Sequence, residues 1–164
     1  NKSKLAQKDI DADWTKKNGE RHFEYKDHVK CDADSKLITN YSVTSASVHD
    51  SQRCLVFIGQ EDEVLYADSA YSGKPIALAL PENCKNQICE KGYRNSPLTS
   101  EQKMNNRRKS RIRCRIEQIF GFMTGAMHGI TIRSIGITRA WMNIGITNLV
   151  YNFCRYSYLK RASA

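Results

Sequence analysis

Glu117 is the only carboxylate among residues 105–164, and it follows six basic residues, Arg107, Arg108, Lys109, Arg111, Arg113 and Arg115, on one helical stretch. Two chemistries fit an acid in that setting. An i,i+4 ion pair with Arg113 would stabilise the helix by about 0.2–0.5 kcal/mol. The sharper reading is a metal ligand, because a hard divalent cation takes carboxylate oxygen while the surrounding arginines hold a phosphate backbone against it. Asp68 is the second candidate. It closes the apolar run Val64-Leu65-Tyr66-Ala67 and opens the turn Ser-Ala-Tyr-Ser-Gly, a strand end of the kind at which open α/β sheets place their sites. An Asx turn or a helix cap would use the same residue for structure alone.

Other constellations carry less. Asp9, Asp11, Asp13 and Glu20 match acid positions 1, 3, 5 and 12 of a calcium loop, but Trp14 stands where the loop needs glycine and no amphipathic helices flank it. His22, His28 and His49 with Asp50 have no zinc spacing, and the six cysteines form no C-x-x-C pair. The cysteines read as reduced, mostly buried thiols.

The net charge of +9 is unevenly divided. Residues 105–164 hold eleven basic residues and one acid, whereas residues 1–104 hold fifteen basic and sixteen acidic ones. So one-sided a field selects a polyanion, because neutralising phosphates releases condensed counterions. Nucleic acid comes first and an anionic membrane surface second. No uncharged stretch approaches the ~20 apolar residues of a spanning helix. A chain that opens on Asn1 without a charged-then-apolar leader reads as truncated or processed, with no secretory signal.

The elements that must position these residues follow from periodicity. Residues 1–21 are polar and read as an extended segment leading into one domain, residues 22–164. His22 to Cys31 and Lys36 to Ser45 alternate imperfectly and form a hairpin about the Asp32-Ala33-Asp34-Ser35 turn. A short segment ending near Gly59 suits a helix, 64–67 a strand buried on both faces, Pro75 to Leu80 a short helix, and 81–97 a loop. Ile112, Ile116, Ile119, Phe120 and Met123 make one helical stripe, with the arginines mainly outside it. A last helix over about 138–160 is expected to bury Met142, Ile146, Leu149, Val150 and Phe153, its aromatic residues serving as core and not as base-stacking platforms.

Four stretches, in order, resemble bacterial insertion-sequence transposases of the DDE type. They are Thr15 to His28, Val43 to Asp50, Tyr66-Ala67-Asp68-Ser69-Ala70-Tyr71, and Arg113-Cys114-Arg115-Ile116-Glu117-Gln118-Ile119-Phe120-Gly121 with its R-x-x-x-E core. The resemblance implies an α/β, RNase H-like fold, truncated before its first strand. Asp68 and Glu117 would be the second and third acids of the D-D-E triad, and Arg113 the matching arginine near phosphate or the acids. Two departures stand out. The family's first aspartate falls upstream of Asn1, and Thr124 and Glu24 replace a common lysine and glycine.

By the same resemblance the intact enzyme holds two Mg²⁺ ions, with Mn²⁺ as a substitute. It hydrolyses the end of the element and joins the freed 3′-hydroxyl to target double-stranded DNA, with Arg107, Arg108, Arg111, Arg113 and Arg115 on the phosphates. A homo-oligomer active in the bacterial cytoplasm and associated with the nucleoid is expected, as is inactivity of this piece alone. A non-catalytic basic DNA-binding remnant and an RNase H-like nuclease are the alternatives.

Overall fold

The computed structural model describes residues 7–17, 19–129 and 131–163. In order it contains strands β1 (Asp13–Lys17), β2 (Glu20–Cys31) and β3 (Ile38–Ser45), helix α1 (Ser51–Phe57), strand β4 (Val64–Leu65), a 3₁₀ turn (Ser69–Tyr71), helix α2 (Lys74–Ala79), strand β5 (Lys85–Asn86) and two long helices, α3 (Ser100–Gly125) and α4 (Ile137–Ala162). The architecture is mixed α/β with two small sheets, one antiparallel in the order β1-β2-β3 and one parallel pair, β4-β5.

Two compact units divide the chain: residues 1–49 with 119–164, and residues 50–118. In the first unit, the hairpin forms as its alternation predicts, with Tyr25 paired to Ser45 and Val29 to Tyr41. Asp32 Oδ1 holds the turn by accepting from the Ser35 amide at 2.7 Å. The segment read as a linker contributes a strand, since β1 lies antiparallel on the start of β2. Short polar strands have no apolar period to betray them, and the Trp14–Phe23 ring contact across this pair, 5.4 Å between centroids, joins residues on opposite sides of a turn. The core of this unit is Ile38, Ile119, Met123 and Tyr151.

Helix α4 packs on the sheet by a different face from the one its sequence suggests. Ala140, Ile144, Asn148 and Tyr151 are buried, while Met142, Ile146, Leu149, Val150 and Phe153 are exposed. Polar anchors explain the orientation. Asn152 bonds both backbone groups of Ile38, at 2.8 Å each, Tyr151 donates to the Lys36 carbonyl at 3.0 Å, and Arg155 donates to that of Ser35 at 2.6 Å. Gly145 lets the Tyr41 ring approach the helix, because an added Cβ would land on the Tyr41 hydroxyl. Trp141 and Phe153, expected in the core, are exposed as well.

The start of α4 is held from afar. Gly136 has φ +97 and no capping side chain of its own. Instead Asp9 and Asp11, the acids of the calcium-like run, accept from the Gly136 and Ile137 amides at 3.3 and 3.0 Å, where the helix dipole favours negative charge. Burial works to raise the Asp9 carboxyl, but hydrogen bonds from Tyr25 and the Gly136, Asp11 and Ala12 amides outweigh it and hold the group below its ordinary value.

In the second unit, Cys54, Ile76 and Ile88 form the core, with Ile58, Leu65, Ala67 and Tyr71 against them. The expected doubly buried strand is corrected here: only two of its residues are strand, Val64 is exposed, and one side of the small sheet carries the packing. Of the six free thiols, only Cys54 and Cys89 are buried and Cys154 is exposed, so they are not mostly buried.

Candidate active site and nucleic-acid interface

Asp68 stands where a parallel ladder runs out. The amides of Lys85, Gln87 and Cys89 donate to the carbonyls of Glu63, Leu65 and Ala67 at 2.8, 2.9 and 3.0 Å, and the chain then turns, with the Tyr71 amide on the Asp68 carbonyl at 3.0 Å. The side chain is exposed and caps no amide; its Oδ1 accepts from the Ser69 hydroxyl at 3.1 Å. Behind the turn the Tyr71 hydroxyl is pushed up to about 12, chiefly by burial and then by the negative charges of Asp50, Cys54 and Asp68. Tyr71 therefore keeps its proton.

Glu117 lies on α3, whose start is secured by a capping box. The Thr99 hydroxyl accepts from the Gln102 amide at 3.2 Å and the Gln102 side chain accepts from the Thr99 amide at 2.9 Å. One turn before Glu117, the Arg113 guanidinium meets its Oε1 at 2.7 Å. The plainer of the two sequence readings is thus formed. With the Glu117 side chain 60% exposed, solvent screens the pair and it adds little stability.

The basic residues ahead of Glu117 divide by task. Arg107, Arg108 and Arg111 are exposed, whereas Arg113 and Arg115 are partly buried. Lys109 is committed elsewhere: its Nζ donates to the Ile88 carbonyl at 2.9 Å and lies 3.8 Å from Glu90. Asn106 bonds both backbone groups of Glu90, at 2.9 and 3.0 Å. These two side chains order the segment that reads as loop from sequence, and only a regular i,i+3 placement on α3 hinted at them. A shallow groove beside this face is lined by Leu98, Lys103, Asn106, Arg107, Ser110 and Arg111.

Asp68 and Glu117 belong to the same compact unit. Both are exposed carboxylates, the donor type a hard divalent cation requires. Among the described residues no three His, Cys, Asp or Glu side chains converge as a set that could hold an ion. The acids present suit part of a metal shell.

The family model of the Transposase DDE domain matches residues 2–153. The transposase for insertion sequence element IS1106 of Neisseria meningitidis serogroup B is 33% identical over 117 residues, which are 70% of this chain and 40% of that protein. The matched stretch therefore spans about two fifths of the relative's length. No solved structure matches.

Proposed function

This chain belongs to the transposase DDE-domain family, and from that membership we propose that it is part of an enzyme that cuts and joins DNA at the ends of an insertion sequence. The observation that carries the reading is Glu117, a lone exposed acid on an arginine-rich helix, set against an exposed aspartate at the end of a parallel ladder. Asp68 and Glu117 would hold Mg²⁺, with Mn²⁺ able to substitute, and the metal would supply Lewis-acid activation of water and of the leaving oxygen. Arg113 fixes the Glu117 carboxylate from one side. Arg107, Arg108 and Arg111, with Arg113 and Arg115 closer to the helix body, would track phosphates of double-stranded DNA.

Membership of the family supports reading the mixed α/β architecture as part of an RNase H-like fold. In this reading the first strand and the first acid of the triad come from outside residues 1–164, and the isolated chain cuts DNA weakly or not at all. The working enzyme acts at the nucleoid in the bacterial cytoplasm; among the described residues, no helix is long and apolar enough to cross a membrane.

The test uses a polypeptide of the relative's length carrying Asp68→Asn or Glu117→Gln. Each should abolish Mg²⁺-dependent cleavage and the joining of a pre-cut end while leaving DNA binding intact. Retained cleavage by Glu117→Gln would refute the assignment, and hydrolysis without joining would mean a nuclease. The Arg113–Glu117 contact favours one other reading, a basic DNA-binding portion in which Glu117 is only an ion-pair partner. Salt-sensitive binding without any metal-dependent cleavage by the unsubstituted protein would select it.

A further inference from the structure

The hairpin of β1 and β2 has two unlike faces. Its register sets Trp14 opposite Phe23 and Lys16 opposite Arg21, while Asp13 lies opposite Glu24, Thr15 opposite His22 and Lys17 opposite Glu20. Residues directly opposite share a face, and neighbours along a strand alternate. One face therefore carries two aromatic rings and two cations, and all three acids of the pairing fall on the other. Those acids have local company: Glu20 lies 3.9 Å from His22, and Asp13 bonds the Ser47 side chain. On the first face Trp14 is 61% and Phe23 48% exposed, and Lys16 and Arg21 are exposed as well. The rings are tilted by 51°, so they brace each other without stacking flat. Beyond Phe23 the face ends at Tyr25, whose hydroxyl donates to Asp9 at 2.6 Å. Asp9 and Asp11 are themselves taken up by the first amides of α4.

We propose that this face grips an unpaired stretch of DNA, with bases stacked on Trp14 and Phe23 and phosphates held by Lys16 and Arg21. Charge and rings together select the occupant. Like charges set directly opposite each other weaken a hairpin, and among the described residues neither cation has an ion-pair partner. An apolar protein segment laid over the rings would bury two unpaired cations. A DNA strand neutralises both and releases counterions. A duplex supplies phosphates but keeps its base faces stacked on one another, so only an unpaired strand offers both groups. The cations stand two residues, ~7 Å, along the strands from the rings, which suits the span from a base to the phosphate of its own nucleotide. The inference rests on the reading above only for DNA as the polyanion. The hairpin belongs to a different compact unit from Asp68 and Glu117, so either assignment can fail alone.

The test is binding without metal, in the 164-residue chain carrying Trp141→Phe so that Trp14 is the sole tryptophan. The probes are oligo-dT, an abasic strand of the same length and a duplex with the same number of phosphates. Oligo-dT should quench Trp14 emission and the other two should not. By anisotropy of labelled oligo-dT, Trp14→Ala and Phe23→Ala should each weaken binding about tenfold or more. Trp14→Phe should keep most of the affinity, whereas Phe23→Leu, apolar but without a ring, should bind as poorly as Phe23→Ala. Lys16→Ala and Arg21→Ala should each lower the slope of log K against log salt by about 0.7, the single-strand value. Circular dichroism should be unchanged throughout; if Trp14→Ala fails to fold, the emission of Trp14 in the unaltered hairpin still decides. Trp14 unquenched by oligo-dT, equal quenching by the abasic strand or the duplex, or an affinity indifferent to the loss of both rings overturns the proposal. Quenching by phosphatidylserine vesicles but not by oligo-dT overturns it too and assigns the face to a lipid surface.

Discussion

Asp27 on β2 is a carboxylate that folding places badly. Among the described residues both its oxygens are buried without a hydrogen-bond partner, and so are both amide atoms of Asn148 on α4. Burial raises the Asp27 carboxyl from 3.8 to about 6, and the neighbouring Asn148 amide tempers the rise from outside good hydrogen-bonding geometry. The sign follows from proton uptake: the folded chain holds this proton to higher pH than the unfolded chain does, so ionising the group opposes folding. The contribution is absent below about pH 3.8, grows as pH rises to about 6, and is constant above. Converted at 1.36 kcal/mol per pH unit, the interval corresponds to about 3 kcal/mol, roughly half of it lost by about pH 5. Asp27→Asn removes the ionisation at nearly constant shape. Urea unfolding monitored by circular dichroism should find the variant and the parent similar in stability near pH 4 and the variant more stable by up to about 3 kcal/mol near pH 8. A stability difference that is the same at both pH values would refute the argument, because only a titrating group makes it vary.

Asp9→Ala removes the remote cap of α4 and should cost about 1–2 kcal/mol in thermal unfolding. Because the folded Asp9 carboxyl lies below 3.8, its contribution is complete above that value and fades as pH falls below it, so the penalty of the substitution should shrink in acid. Gly145→Ala gains up to about 1 kcal/mol of helix propensity but drives a methyl group onto Tyr41; overpacking should win, with a net loss of about 1–2 kcal/mol read from the denaturation midpoint. In DNA binding by the isolated chain, each of Arg107→Ala, Arg108→Ala and Arg111→Ala should lower the slope of log K against log salt by about 0.9 and act alike on unrelated sequences. A slope unchanged in all three would place the phosphate contacts elsewhere.

Much of the local structure was legible because it depends on near neighbours. The β2–β3 alternation, the α3 stripe ending in buried Ile119 and Met123, the short α2 and the strand end at Asp68 all rest on spacings of two to four residues. The paired reading of Arg113 and Glu117 was available for the same reason. The two candidate acids were marked by type and setting, an acid alone among arginines and an aspartate closing an apolar run.

Tertiary structure alone decided the rest. Helix α4 is apolar over more than one face, so hydrophobic period could not choose between them; Asn152, Tyr151 and Arg155 chose, by binding backbone groups more than a hundred residues away. The acids at Asp9 and Asp11 resembled a metal loop by spacing, yet their partners are amides at Gly136 and Ile137. Asp27 looked like an ordinary polar position on an alternating strand until α4 covered it. Spacing along a chain records which side chains share a face, whereas the partner of that face depends on contacts between distant segments that only folding creates.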